Sequence, residues 1–292
     1  MGDFHSIGPN TVRLELNAAS LSAFPPSQDP ATLPPPQLAR PTWYQPFNVP
    51  PSLYTKALDA RVPLTIAGVY ATTVIIMNRV NKSRGFKPYA ISKTRPFKLF
   101  VLLHNISLAV YSLWTFVGML RAFYVSWPSR DERHGFAVLA DTMCRFSGPH
   151  GYGNGAVYDT AANQWFFHNP SLKLAAGGIP DPSDLGRVWN NGLSFLGWLF
   201  YLSKFYEVLD TAIILAKGKK SSSLQTYHHT GAMMCMWAGI RYMSPPIWIF
   251  TLFNSGIHAL MVCTSAVHHF GAFLVSLLLT VISQKLVCLL YH

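Results

Sequence analysis

Three long stretches of this 292-residue chain contain no Asp, Glu, Lys or Arg, namely residues 99–120, 221–240 and 242–284. About 20 consecutive apolar residues are enough to cross a bilayer as a helix. Only 12% of all residues are charged, whereas soluble proteins carry about 25%. The sequence therefore excludes an ordinary soluble enzyme, a disordered protein and a disulfide-stapled secreted domain.

Apolar segments recur along the chain and predict six membrane spans, at about residues 62–78, 99–120, 192–216, 224–240, 246–267 and 270–290. Because lipid cannot satisfy a free backbone amide, helices are the open-chain solution. We therefore predict an all-α fold, a polytopic membrane helix bundle, over residues 56–292. Residues 1–55 are rich in proline, which disfavours helix and sheet, so this N-terminal tail is predicted to be disordered.

The distribution of positive charge predicts the orientation of the bundle. The net charge is +11, and basic residues without acidic neighbours fill the 79–98 loop and the 217–220 connection. The long 121–191 loop mixes both signs. The positive-inside rule places the two basic connections in the cytosol and the N-terminus and the 121–191 loop on the lumenal side. Membrane topology explains this charge better than a nucleic acid partner, so no nucleic acid is predicted.

Ionisable residues lie inside the third apolar segment. Lys204, Glu207, Asp210 and Thr211 are spaced i, i+3, i+6 and i+7, which places them on one helical face. A charge at membrane depth costs about 2.5–3.5 kcal/mol, so these groups need partners or a wet cavity. They indicate a functional pocket. A Lys204–Glu207 ion pair that only holds helices together is the alternative.

The next two segments also carry polar groups. One opens with Gln225-Thr226-Tyr227-His228-His229, and the other carries Asn254 and His258 at i, i+4 on one face. A single buried histidine would be interpreted as a packed core residue, but polar groups from three helices favour a site. In the second segment, His104 and Asn105 are further candidates. For these two residues, the sequence favours a packing role and a functional role equally.

Histidine can act as acid, base or nucleophile, and it also binds metals. Membrane di-iron desaturases and hydroxylases carry several histidine boxes, whereas Gln225 interrupts the one candidate box here. No metal site is therefore predicted. A thiol nucleophile is also disfavoured, because Cys235 lies about 10 Å along the helix from His228 at 1.5 Å per residue.

Three motifs in order resemble those of the ELO-type very-long-chain fatty acid elongases of the endoplasmic reticulum. The family's K-x-x-E-x-x-D-T signature matches in full. Its H-x-x-H-H box matches with Gln225 in place of the first histidine, a Q-x-x-H-H form that recurs among elongases of polyunsaturated chains. Its N-S-x-V-H-x-x-M-Y motif matches at Asn254, Ser255, His258 and Met261. The resemblance covers about residues 60–290.

The chain departs from this family near its end. The family has seven helices and a basic cytosolic C-terminus, whereas the six spans predicted here end close to His292. We therefore expect a C-terminally truncated chain. Two alternative functions follow: a catalytically inactive elongase homologue that acts as a partner, or a multi-span receptor or transporter.

The resemblance implies an acyltransferase that condenses acyl-CoA with malonyl-CoA to 3-oxoacyl-CoA, CO2 and CoA. This is the first step of very-long-chain fatty acid elongation, with polyunsaturated chains as one implied substrate class. His228 is expected to attack the acyl thioester, with His258 or His229 as acid/base. Lys204 is expected to hold the malonyl carboxylate or to balance Glu207 and Asp210.

The remaining expectations concern binding. Gln225 and Asn254 would orient imidazoles or donate to the oxyanion, and the apolar interior would form an acyl-chain tunnel. The other expected substrate-binding residues are Thr211, Tyr227, Lys217, Lys219 and Lys220. The three lysines are expected to bind the phosphates of CoA. The resemblance implies no metal and no cofactor besides the two substrates. The expected partners are membrane lipid, other enzymes of the elongation cycle and a second copy in a homodimer, in the endoplasmic reticulum membrane.

Overall fold

The structure, a computed structural model, describes residues 32–127, 140, 142–144, 156–159, 161–167 and 186–260. The principal α-helices in this part of the chain are α1 (Pro51–Ala57), α2 (Arg61–Ser83), α3 (Arg95–Ser126), α4 (Ser194–Tyr206), α5 (Val208–Ala216), α6 (Ser223–Arg241) and α7 (Ile247–Leu260). A 3-10 helix (Ala90–Lys93) precedes α3, and a π-helical turn (Trp189–Leu193) leads into α4. The predicted all-α helix bundle is confirmed.

Helices α2 and α3 are long and apolar enough to cross a membrane, with 23 and 32 residues. At 1.5 Å per residue they reach about 34 and 48 Å, which exceeds a hydrocarbon core of about 30 Å. Large apolar side chains point outward from both helices, among them Val69, Ile76, Leu103 and Val110. This outer surface suits lipid and not water. The predicted span at 270–290 lies outside the described residues.

The segment predicted as a single span at 192–216 is broken at Glu207. Helix α4 ends at Tyr206 and α5 begins at Val208. At the break, the Asp210 amide donates to the Glu207 carbonyl at 3.1 Å, an i+3 bond tighter than that of an α-helix. The interruption therefore lies inside the charged signature, between Lys204 and Asp210.

Helix α4 forms the centre of the core. It packs against α6, α3 and the π-helical turn. Its side chains Phe195, Leu196 and Tyr201 are fully buried and join Met236 of α6 and Trp248 of α7 in one apolar cluster. This helix therefore holds its polar residues at a fixed depth among well-packed neighbours.

Residues 32–50 form an ordered proline-rich strap, which differs from the disorder predicted for residues 1–55. The indole of Trp189 donates to the Leu33 carbonyl at 3.0 Å, and that of Trp114 donates to the Trp43 carbonyl at 2.8 Å. The Phe47 ring meets the Phe195 ring edge-on at 5.1 Å. Proline prevents a helix here, but extended carbonyls can accept from indole N–H groups, and these tertiary bonds fix the strap. Residues 1–31 lie outside the described residues.

The two basic connections contact each other at one end of the bundle. Asn81 of α2 donates to the Leu215 carbonyl at 3.0 Å and to the Lys219 carbonyl at 3.1 Å. The Tyr89 amide donates to the Ala216 carbonyl at 3.2 Å. The 79–98 loop and the 217–220 connection therefore share one side, as their common charge predicts. Their cytosolic location stays a prediction.

Gly218 makes the close approach of these two connections possible. Its φ is +73°, and a Cβ there would lie 2.6 Å from the Lys87 carbonyl oxygen. We expect Gly218→Ala to destabilise the protein by about 1–3 kcal/mol, because it combines left-handed strain with a backbone clash. Gly231→Ala is the matched control, since a Cβ at this interior position of α6 meets nothing within 4 Å. Thermal unfolding in detergent should separate the two variants, and equal midpoints would contradict the assigned strain.

The predicted 121–191 loop contains a β-hairpin that the sequence did not indicate. Strand β1 (Ala156–Asp159) pairs antiparallel with β2 (Gln164–Phe167), with Ala156 opposite Phe167 and Asp159 opposite Gln164. Asn163, which directly precedes β2, has a φ of +52°, a conformation that asparagine tolerates. The start of the predicted loop, up to Ser126, belongs to α3.

Candidate active site

Lys204 lies fully buried at the centre of the polar cluster, with 1% of its surface exposed. Its Nζ donates to Glu207 Oε1 at 2.6 Å and to Asn254 Oδ1 at 2.9 Å, and it lies 3.9 Å from the centre of the Phe200 ring. Two acceptors and an aromatic face therefore surround this ammonium. Of the two roles expected for Lys204, this arrangement corresponds to the balancing of Glu207.

Glu207 connects the lysine to a histidine. While Oε1 accepts from Lys204, Oε2 lies 4.0 Å from Nδ1 of His229. Both side chains are nearly fully buried, and no described atom is close enough to hydrogen-bond His229 Nδ1. A separation of 4.0 Å exceeds a hydrogen bond, but catalytic contacts in empty sites are often long and shorten when substrate binds.

The third motif joins this cluster through α7. Asn254 accepts from Lys204, and His258 lies one turn further along the same helical face. His258 is half-buried and lies within electrostatic range of Glu207, Lys204 and Asp210. Residues of α4, α6 and α7, and Glu207 between α4 and α5, therefore meet at one buried site, as the sequence pattern suggested.

A chain of hydrogen bonds fixes the glutamine of the histidine box. Gln225 Nε2 donates to Thr211 Oγ1 at 3.2 Å, and its Oε1 accepts from Ser221 Oγ at 3.4 Å. Thr211 Oγ1 also pairs with the Tyr70 hydroxyl at 2.9 Å, and the Tyr70 ring meets the His229 ring edge-on at 5.9 Å. Tyr70 and Ser221 belong to none of the three motifs, and no local pattern in the sequence singles them out.

A second histidine–carboxylate pair lies between α3 and α5. Nε2 of His104 lies 2.8 Å from Asp210 Oδ1, and Nδ1 lies 3.0 Å from the Tyr206 hydroxyl. His104 is buried and Asp210 is half-buried. Of the two candidates in the second segment, His104 therefore joins the charged signature through Asp210.

The other expected site residues lie at the surface. His228 is exposed, with its ring centre 5.6 Å from that of His229, and Tyr227 is 76% exposed. Lys217, Lys219 and Lys220 are exposed on the connection between α5 and α6. The structure thus brings His229, and not its neighbour His228, next to Glu207, because adjacent helical residues point about 100° apart.

An apolar cleft reaches the edge of this cluster. It encloses about 320 Å³ between α2 and the broken helix pair α4–α5, and its wall includes Val69, Tyr70, Phe205, Val208 and Thr211. Tyr70 and Thr211 are therefore shared between the cleft and the hydrogen-bond chain to Gln225. Among the described residues the cleft is open at its side, and the acyl-chain tunnel expected from the sequence stays a prediction.

Comparison with known proteins identifies the family of this chain. The family model described as ELO: GNS1/SUR4 family matches residues 56–283. The chain is 37% identical over 200 residues to "Fatty acid elongase sre1" of Dictyostelium discoideum, which covers 68% of this chain and 55% of that protein. It is 25% identical over 162 residues to "Fatty acid elongase A" of the same organism, covering 56% and 42%.

A third relative is "Fatty acid elongase 2" of Trypanosoma brucei brucei, 31% identical over 78 residues, covering 27% of this chain and 29% of that protein. The matches thus span about half or less of the length of these curated relatives. No solved structure matches the chain significantly. The family model, in contrast, covers most of the chain and includes all three polar motifs. The chain belongs to the ELO (GNS1/SUR4) family of membrane proteins.

Proposed function

We propose that this protein is the condensing enzyme of fatty acid elongation, which joins acyl-CoA to malonyl-CoA and releases CO2 and CoA. The observation that carries the proposal is the buried contact series from Lys204 through Glu207 to His229. A carboxylate that is paired with a lysine can orient an imidazole for nucleophilic attack. The elongase names of its relatives support the same reaction class.

His229 is the nucleophile in this proposal. Nδ1 keeps its proton and donates a hydrogen bond to Glu207 when substrate binds, which leaves the Nε2 lone pair for the acyl carbonyl carbon. A C–N bond forms as the C–S bond breaks, and the departing CoA thiolate takes the proton that the imidazolium releases. The product is a neutral acyl-imidazole and free CoA. The sequence alone favoured His228 for this attack, whereas the burial of His229 beside Glu207 supports His229.

Malonyl-CoA reacts in the second half. Its carboxylate leaves as CO2, and the electron pair stays on C2 as an enolate. That carbon attacks the acyl-imidazole, the C–N bond breaks, and His229 recovers its proton from His258 or from solvent. The product is 3-oxoacyl-CoA, two carbons longer than the acyl group supplied. This chemistry uses neither a metal nor a redox cofactor.

The remaining polar groups have binding or acid/base roles. His228 lies at the accessible end of the site, where it meets the thioester portion of CoA. Lys217, Lys219 and Lys220 attract the CoA phosphates, since exposed ammonium groups pair with phosphate oxygens. Gln225 is oriented by Thr211, and Asn254 fixes Lys204. Tyr227 is exposed and flanks the CoA end.

The acyl chain lies in the apolar cleft between α2 and α5. Each methylene removed from water contributes about 0.8 kcal/mol, and the cleft wall is continuous with the polar cluster at Tyr70 and Thr211. We place the enzyme in the endoplasmic reticulum membrane with its N-terminus lumenal, beside the other enzymes of the elongation cycle and as a homodimer. The proposed acyl substrates are those of very-long-chain fatty acid elongation, including polyunsaturated acyl chains.

The two half-reactions test the proposal separately. Purified full-length protein in lipid nanodiscs receives acyl-CoA alone, and we expect release of one CoA per active site and a protein mass increased by one acyl group. Malonyl-CoA added next should discharge the acyl group as 3-oxoacyl-CoA with one CO2. A receptor, a transporter or an inactive partner protein would give neither CoA release nor CO2, and that result would overturn the proposal.

A further inference from the structure

His104 is a buried titratable residue outside all three family motifs. It lies on α3 with 2% of its surface exposed, and both of its ring nitrogens have partners. Nε2 contacts Asp210 Oδ1 at 2.8 Å and Nδ1 contacts the Tyr206 hydroxyl at 3.0 Å. The ring also stacks on Phe100, with 6.0 Å between centres and 21° between planes. Its position and rotation are therefore both fixed.

The two contacts define where the protons of this imidazole lie. An ionised carboxylate only accepts, so the Nε2 of His104 carries a hydrogen towards Asp210. The Tyr206 hydroxyl donates to Nδ1 when the ring is neutral and accepts from it when the ring is protonated. In both protonation states, His104 therefore donates to Oδ1 of Asp210.

This bond restricts the carboxylate of Asp210. Within the described part of the chain, no hydrogen bond reaches Oδ2 of Asp210, and 32% of the side chain is exposed. The buried imidazole of His104 thus holds Oδ1 of Asp210, while part of the carboxylate stays accessible.

Asp210 directly precedes Thr211 on α5, and the Thr211 hydroxyl contacts both Gln225 and the Tyr70 hydroxyl. The Tyr70 ring in turn packs edge-on against His229. The carboxylate of Asp210 is therefore next in sequence to the hydrogen-bond chain that reaches the imidazole of His229.

We propose that His104 is a positioning residue that holds Asp210 in a single orientation, so that its negative charge stays fixed beside the cluster that contains the reacting imidazoles. This inference rests on the proposed condensing function. An imidazolium that forms during acyl transfer is stabilised by a fixed negative charge more than by one that must first reorient. The helix that carries His104 thereby becomes part of the active site, although it contributes no motif residue.

Two substitutions separate the hydrogen bond from the packing. His104→Leu puts an apolar side chain of similar size in this place and removes the hydrogen-bond donor. His104→Gln can instead place an amide donor near the position of Nε2. We expect kcat to fall about 10–100-fold in His104→Leu, in the range of lost supporting contacts at active sites. The KM for acyl-CoA should stay within about twofold, and His104→Gln should recover most of kcat. Leu103→Ala, on the outward face of α3, is the control and should match the wild type.

A third variant tests whether His104 acts through Asp210. If it does, His104→Leu combined with Asp210→Asn should be no slower than Asp210→Asn by itself, since residues acting in series are not additive. Equal kcat values for His104→Leu and the wild type, equal losses in the Leu and Gln variants, or fully additive losses would each overturn the inference. A wild-type protein that releases no CoA would instead overturn the proposed function, and this inference with it.

Discussion

Alanine in place of His229 should lower the rate of CoA release from acyl-CoA by at least about 1,000-fold. The substitution removes the atom that forms the acyl-imidazole, and among the described residues no other imidazole lies within 4.0 Å of the Glu207 carboxylate. Stopped-flow detection of free CoA thiol measures this half-reaction directly. Intact-mass analysis should show no acylated protein in the variant, whereas the wild type gains one acyl group.

His228→Ala is the matched control, because it removes the same ring one position along the same helix. We expect CoA release to fall less than about tenfold in this variant, since an accessible acid/base or binding group is partly replaced by water. Fragmentation of the acylated peptide should place the acyl group on His229. A larger loss in His228→Ala, with the acyl group on His228, would reverse the two roles. His229→Asn shows whether misfolding causes the loss in His229→Ala, because the asparagine keeps a polar group beside Glu207 but cannot form an acyl-imidazole.

The spacing of the charged signature predicted much of the cluster. Lys204 and Glu207 are three residues apart in a segment that had to be helical in lipid, so their 2.6 Å contact follows from helix geometry. Asn254 could be expected near them only because polar groups inside a bilayer seek partners. The sequence thus indicated which helices meet at the site, although not which atoms touch.

The choice between the two adjacent histidines could not be read from the sequence. His228 and His229 point about 100° apart on α6, and which of them faces inward depends on the rotation of that helix. That rotation is set by long-range packing, such as the bond of 2.7 Å from the Trp237 indole to the Leu58 carbonyl. A periodic apolar pattern would have fixed the rotation, but α6 is apolar on several sides.

The order of the proline-rich strap, residues 32–50, could not be predicted from the sequence either. Proline content predicts the absence of helix and sheet, and residues 32–50 contain neither. Disorder does not follow, because an extended segment becomes ordered when distant side chains bind its carbonyls. Here Trp189, 156 residues away in sequence, holds the Leu33 carbonyl. Composition carries local preferences, whereas this order comes from a tertiary contact.

Methionine in place of Lys204 should produce the largest loss of stability of any substitution considered. The change keeps the length of the side chain and removes only the ammonium, which leaves the carboxylate of Glu207, 5% exposed, without its partner. Breaking a buried ion pair from one side costs about 3–5 kcal/mol. At about 2–4 °C of unfolding midpoint per kcal/mol for a domain of this size, a decrease of roughly 6–20 °C is expected.

Two comparisons show whether the unpaired charge is the cause. Glu207→Gln added to Lys204→Met removes the remaining charge, so the double variant should recover most of the lost stability even though it stays inactive. Arg61→Met breaks a pair of equal length, 2.6 Å, but 84% of the Arg61 side chain is exposed, and its midpoint should not change measurably. Differential scanning fluorimetry in one detergent compares all three. If the double variant were as unstable as Lys204→Met, lost packing around Phe200 would be the cause, and the buried charge would not.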